Sequence, residues 1–198
     1  MKKVAAASVL ALTLFTAACT PVAKEATENT SPSVSTPTVT PLSTASPSAP
    51  VLETGQATDS QIAEQLTYLI EEEKLAFDIY SAMYELWGAR TFGNILNSEQ
   101  NHQSQVLTVM SAYDIADPRS SEPGVFTIPE LQALYDDLLA QGSKSELDAF
   151  KAGVAIEELD IADLTDMLAT ATGADVIAMM ENLRRGSENH LRAFNSKL

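Results

Sequence analysis

The chain has 198 residues, 45% of them hydrophobic, which is enough for one domain with a real core once export and linker segments are set aside. Its 27 acidic residues stand against 12 basic ones, for a formal net charge of -15. Such a surface repels nucleic-acid phosphates and argues against a nucleic-acid role, and it tolerates cations without proving that it binds them.

The N-terminus reads as an export signal. Lys2 and Lys3 form a positive start, and Val4 to Phe15 is an apolar run. That run is shorter than the roughly 20 residues needed to span a bilayer. Thr16-Ala17-Ala18-Cys19 then resembles a lipobox, with Thr16 in place of the usual leucine. Residues 1–18 are therefore expected to be a lipoprotein signal, with Cys19 as the acylated residue; an ordinary secretory signal with an incidental cysteine is the alternative. Cys19 is the only cysteine, so the chain has no intramolecular disulfide and no catalytic thiol in its later part. The expected place is the cell envelope, outside the cytoplasm and lipid-anchored, and Thr20 is compatible with outer-membrane sorting.

Residues 19–58 are rich in Ser, Thr, Pro and Ala and hold no aromatic residue. They cannot bury enough apolar area to offset ordering entropy, and are expected to form a disordered tether. Residues 59–198 form the expected domain. Helical periodicity predicts a first long helix over 60–87, a turn at Gly88-Ala89-Arg90, and a second over 92–113. A shorter helix is expected over 128–140, with Thr127 and Glu130 as a capping box and Pro129 in the first turn. Long helices over 146–170 and from Ala174 onward complete the set. Tight turns make two antiparallel hairpins, and about 30 residues separate them. One long crossover between hairpins predicts an all-α, ferritin-like four-helix bundle rather than a simple up-down bundle.

Residues alternately three and four apart line the core of such a bundle. The rows predicted to face inward pass through Glu73 and Tyr80 on the first helix and Glu99 and His102 on the second. On the third they pass through Leu147, Phe150, Val154, Glu157, Ile161, Leu164 and Leu168, and on the fourth through Ser187 and His190. At about 1.5 Å per residue, Glu73, His102, Glu157 and His190 lie roughly 16–24 Å from their helix ends, near mid-bundle. Unpaired carboxylates in an apolar core cost several kcal/mol each, so three glutamates and the chain's only two histidines at one depth suggest a shared cation. Glu99 and His102, three apart, point from one helix face to one place. Misjudged helix phase within Glu71-Glu72-Glu73 is the plain alternative for Glu73, and hydrogen-bonded core histidines are the plain alternative for the imidazoles. Trp87, Phe92 and Phe194 are expected in the core. Asp160 is a ligand, a partner of a ligand histidine, or a solvated acid, with the last favoured. Tyr80 is a hydrogen-bonded core residue or a redox-active neighbour of the site, with the first favoured.

Glu73-Lys-Leu-Ala76 with Tyr80 resembles the first-helix motif of rubrerythrins and ferritins, and Glu99-Gln-Asn-His102 resembles their second-helix motif. From about Leu66 to Leu198 the chain is similar to a ferritin-like family catalogued as a domain of unknown function. The matching segments are Glu71–Ala76, Phe92–Ile95 with Ser98–Gln100, Leu131–Tyr135, Ile156–Ile161 and Gly186–Phe194. This resemblance implies Glu73, rather than Glu71 or Glu72, as a ligand beside Glu99, His102, Glu157 and His190. It departs from rubrerythrins at Ser187, where they carry a glutamate. Either Asp160 or Glu188 substitutes, or the site holds one ion instead of two. The expectation is a membrane-anchored protein with one or two ions of iron or manganese, or zinc in a mononuclear site. Its activity, if it is an enzyme, would be metal-centred redox with peroxide or oxygen. The rival expectation is a metal-free bundle serving as a scaffold. Expected partners are metal ions and a membrane, with no nucleic acid; a homodimer is left open.

Overall fold

The computed structural model describes residues 54–198, with side chains from Asp59 onward. The expected signal, Cys19 and most of the expected tether lie outside the described residues. Five helices and no strand occur among the described residues, so this part of the chain is all-α. They are α1 (Thr54–Trp87), α2 (Arg90–Ala112), α3 (Pro129–Gly142), α4 (Glu146–Leu168) and α5 (Ala174–Asn195). α1 begins before the predicted start, so the last five residues of the expected tether are already helical. No described helix is long and apolar enough to cross a membrane.

Gly88, at φ 64°, takes the left-handed conformation that lets the chain reverse between α1 and α2 within two residues. α1 pairs with α2 and α4 pairs with α5, each across a short turn, so each pair is antiparallel. The hairpins join through α2 against α5 and α1 against α4, and α3 packs on α4 and α1. Ser145 caps α4 by accepting from the Asp148 backbone N–H at 3.1 Å. The capping box expected at Thr127 does not form. Ile128 is the N-cap of α3 and its side chain makes no capping bond. The exposed N–H groups there are met instead by Glu71 from α1, whose Oε2 accepts from the Thr127 N–H at 2.8 Å and the Ile128 N–H at 3.4 Å. A carboxylate beside the positive end of the helix satisfies both donors and dipole.

The core has two apolar parts. One holds Leu75, Ile79 and Met83 of α1 with Phe92, Phe150 and Phe194. The other holds Leu66 and Ile70 of α1 with Val106, Leu164, Val176 and Leu183. Between them all four long helices turn polar at once: residues 71–74 on α1, Glu99 and His102 on α2, Glu157 and Asp160 on α4, Ser187 and His190 on α5. A buried polar layer between two apolar ones defines the candidate site.

Two expectations about the core fail. Trp87 is 36% exposed, because it ends α1 and anchors only its indole N–H, which donates to the Gly142 carbonyl at 2.9 Å. On α4 the inward face is rotated from the predicted row. Leu147 is exposed, and Val154, Ile161 and Leu168 are only half-buried. Ala149, Ala152, Gly153 and Ile156 face inward beside Phe150 and Glu157. Small residues let neighbours come close: a Cβ on Gly153 would sit 2.9 Å from the Phe194 ring. The same rotation buries Asp160, which is 2% exposed, and overturns its reading as a solvated acid.

Candidate metal centre

Glu73, Glu99, His102, Glu157 and His190 come from four helices and meet in the polar layer, each buried. They form two groups of three whose oxygen and nitrogen atoms lie within 4.8 Å of one another: Glu73, Glu99 and His102, and Glu99, Glu157 and His190. Glu99 belongs to both. Its Oε2 lies 3.4 Å from His102 Nδ1, and its Oε1 lies 2.8 Å from His190 Nδ1. The imidazoles are 5.4 Å apart between centroids. His102 Nδ1 is also 3.2 Å from Glu73 Oε2, and His190 Nδ1 is 3.4 Å from Glu157 Oε1. Both histidines thus turn Nδ1 inward, between carboxylates.

Several of these atoms are close without being bonded. Glu73 Oε1, Glu99 Oε1, Glu157 Oε2 and His190 Nδ1 are buried with no hydrogen-bond partner. His190 Nδ1 and Glu99 Oε1 are therefore near neighbours that miss the alignment a hydrogen bond requires. Buried polar atoms are nearly always satisfied, so a converging set of orphans fits a cation coordinated between them.

The electrostatics follow from burial and pairing. Burial opposes charge on Glu99, but the imidazoles of His102 and His190 beside it prevail and lower it to about 2. Burial also opposes charge on the imidazoles. Glu73 and Glu99 nevertheless raise His102 to about 10, and Glu157 and Glu99 raise His190 to about 9. Burial raises Glu73 and Glu157 to about 7, against the pull of His102 on one and His190 on the other. The carboxylates move in opposite directions although they share partners. Glu99 faces both imidazoles and each of the others faces one, so Glu99 keeps the negative charge.

The surroundings hold the set in place. The Tyr80 hydroxyl donates to Glu157 Oε1 at 2.6 Å, and its ring packs on Phe194 at 5.1 Å in the aromatic part of the core. Ser98 Oγ lies 3.5 Å from His102 Nε2, on the outer edge of that ring. Ser187 is buried on the same layer, but its hydroxyl bonds back to the Leu183 carbonyl at 3.3 Å. Neither Asp160 nor Glu188 belongs to the two groups of three. Glu71, Glu72, Lys74 and Asp78 are buried too, which periodicity did not anticipate. Glu71 serves α3, and Lys74 pairs with Asp78 at 2.5 Å.

Gly186 is a positioning residue. A Cβ there would collide with His102 Nε2 and lie 2.5 Å from its Cε1. Alanine favours a helix over glycine by about 1 kcal/mol, but the obstacle is a buried ring held between two carboxylates. Gly186→Ala is expected to cost a net ~1–2 kcal/mol by overpacking, read as a lower urea midpoint. Unchanged stability would mean that the ring has room to move.

The family described as "Uncharacterized protein domain (DUF2202)" matches residues 62–198. The chain belongs to this family. Its match covers all five residues of the two groups of three. Within the curated proteins, the "Uncharacterized protein MJ0754" of Methanocaldococcus jannaschii is 44% identical over 132 residues, covering 66% of this chain and 71% of the relative. The crystal structure of the hypothetical protein MJ0754 is similar with a TM-score of 0.65 at 44% identity, covering 67% of this chain and 76% of that one. The helical architecture is thus shared with that protein.

Proposed function

We propose that this DUF2202 chain is a ferritin-like metal protein, anchored to a membrane through Cys19, whose polar layer would hold two ions of iron or manganese, with Glu99 common to both sets of donors. The observation that carries the reading is the sharing of Glu99 between two groups of three ligand-type side chains, with orphaned atoms facing one another. Two antiparallel hairpins separated by a long connection support the ferritin-like relationship. Carboxylate and imidazole donors suit iron and manganese, and also zinc. Glu73 and His102 would hold one ion and Glu157 and His190 the other. When bound, iron or manganese supplies redox chemistry with peroxide or oxygen. The chain's own part is to fix the donors: Tyr80 steadies Glu157, Gly186 admits the His102 ring, and the two apolar parts keep water out.

Metal analysis of protein purified without a histidine tag tests this directly, and the pH dependence of stability adds a second reading. In stripped protein, Glu73 and Glu157 titrate near 7, above their ordinary 4.5. Their contribution is full below about pH 4.5 and is lost as pH rises through 7. His102 and His190 act in the same direction, full below about pH 6.5 and lost through about 9 to 10. Glu99 contributes above about pH 4.5 and loses that contribution only toward pH 2. Stripped protein should therefore be most stable near pH 5 and weaken as pH rises to 8. Metal must displace protons, so the rise in melting temperature on adding manganese or iron should grow over the same interval. Equal melting with and without iron, manganese or zinc at pH 7.5 would support the metal-free scaffold instead.

The anchor is tested separately. Cys19→Ser is expected to leave the leader uncut or the protein released from the membrane fraction, seen by fractionation and intact mass. Unchanged retention and mass would remove the lipid anchor from the proposal.

A further inference from the structure

The proposed ions would lie behind side chains that are almost wholly buried, with Glu73 and Glu99 1% exposed and Glu157 0%. A divalent cation cannot shed its water in an apolar core, and needs oxygen ligands along its way. One strip of carboxylates leads outward from the centre. Glu157, Asp160 and Asp163 are spaced by three on α4, which places them along one face with a rise of about 4.5 Å per step. Glu72 lies one turn after Tyr68 on α1, and the Tyr68 hydroxyl reaches Asp163, so Glu72 faces this strip.

Glu72 is 1% exposed, yet neither of its oxygens has a donor, and Asp160 Oδ1 has none either. Its neighbours in sequence show what a structural acid looks like here. Glu71 accepts from Thr127 and Ile128, and Asp78 accepts from Lys74 and the Gly124 N–H. Glu72 has no such donor. Adjacent carboxylates of this kind are relieved by a shared proton or a cation between them. At the outer end Asp163 is half-buried, its Oδ2 accepts from the Tyr68 hydroxyl at 3.1 Å, and it lines a surface cleft with Asp166 and Met167. A second cleft, beside Gln103, is lined by Lys74 with Asp78 and Arg119 with Asp117, pairs that leave little net field to attract a cation.

We propose that Asp163, Glu72 and Asp160 form the route by which divalent cations pass between the cleft at Tyr68 and the buried centre. The route rests on the metal reading above but adds residues outside the two groups of three, and a function in rate rather than affinity. It is tested on the full chain stripped with EDTA, using Co²⁺ as the probe. Uptake is followed by visible absorption in a stopped-flow, and release by transfer to excess chelator. Asp163→Lys, at a half-buried position at the outer end, should slow uptake by about tenfold, the low end of electrostatic steering effects. Glu72→Gln, close in shape and neutral, should slow uptake and release together. Both variants should bind as much cobalt at saturation as wild type. Asp137→Asn, an exposed acid on α3, should leave the rates unchanged. Wild-type rates in both route variants would overturn the proposal. So would a loss of bound cobalt at saturation, which would make these residues ligands. Wild type that takes up no cobalt would instead fail the metal reading itself, and the route with it.

Discussion

Glu99→Ala should abolish the stabilisation that metal confers and weaken the stripped protein as well. Glu99 is the one side chain common to both groups of three, so its removal takes a donor from each. A ligand at a hundred times its Kd stabilises a folded protein by about 2.7 kcal/mol, on the order of 10 °C for a domain of this size. That difference between loaded and stripped protein should vanish in the variant. The stripped protein loses something else. Its imidazoles, raised to about 10 and about 9, share Glu99 as a counter-charge. Removing one partner of a buried ionic set costs about 3 kcal/mol or more, limited here because an imidazole can lose its proton. Glu73→Ala and Glu157→Ala each empty one group only, and should retain about half of the bound metal. Thermal melts with and without manganese, with metal analysis of each variant, separate these outcomes. A Glu99→Ala protein that binds and melts like wild type would overturn the proposed role of Glu99.

Much of this arrangement was legible in the sequence because it follows from period and depth. Glu99 and His102 lie on a row continued by Phe92, Ile95 and Val106, all large and apolar, so the inward phase of α2 is unambiguous. The same holds for α5, where Val176, Met180, Leu183 and Phe194 frame His190. α4 was misread in part because its contact face is made of alanine and glycine, which carry almost no hydropathy signal but permit close approach. Leu147 and Ile161 drew the row toward themselves, and Asp160 was left in solvent as a result. Glu157 survived because it lies on both rows. On α1 the run Glu71-Glu72-Glu73-Lys74 gave no phase of its own. All four are buried because α1 is covered on several sides, by α2, α4, α3 and the connection before α3. Periodicity assumes one wet face, and α1 has none at that depth. The role of Glu71 depended on where residues 127 and 128 come to rest, 56 positions away, and no local pattern contains that information.

Ser187→Glu should separate the stripped and loaded states more than any other single change. Ser187 is 1% exposed, three residues before His190 on α5, and its hydroxyl is spent on the Leu183 carbonyl. A glutamate there would bring a further carboxylate into the layer that already holds Glu73, Glu99, Glu157 and Asp160. Only two imidazoles oppose them, and Asp160 is already pushed well above its ordinary range by burial, then by Glu72 and Glu157. An added buried acid without a counter-charge costs several kcal/mol, or takes up a proton and shifts its own pKa instead. The stripped variant should therefore melt well below wild type at pH 7.5 and recover part of the difference at pH 5, where the new carboxyl is protonated. With metal the sign reverses. If the proposed resemblance to rubrerythrins holds, the new carboxylate stands where their fourth helix carries a donor, so the loaded variant should be at least as stable as wild type and hold its second ion more tightly. Isothermal titration with manganese, beside melts at both pH values, reads both effects. If the variant is equally stable stripped and loaded, and binds manganese as wild type does, position 187 lies outside the reach of the centre and the two proposed ions are complete without it.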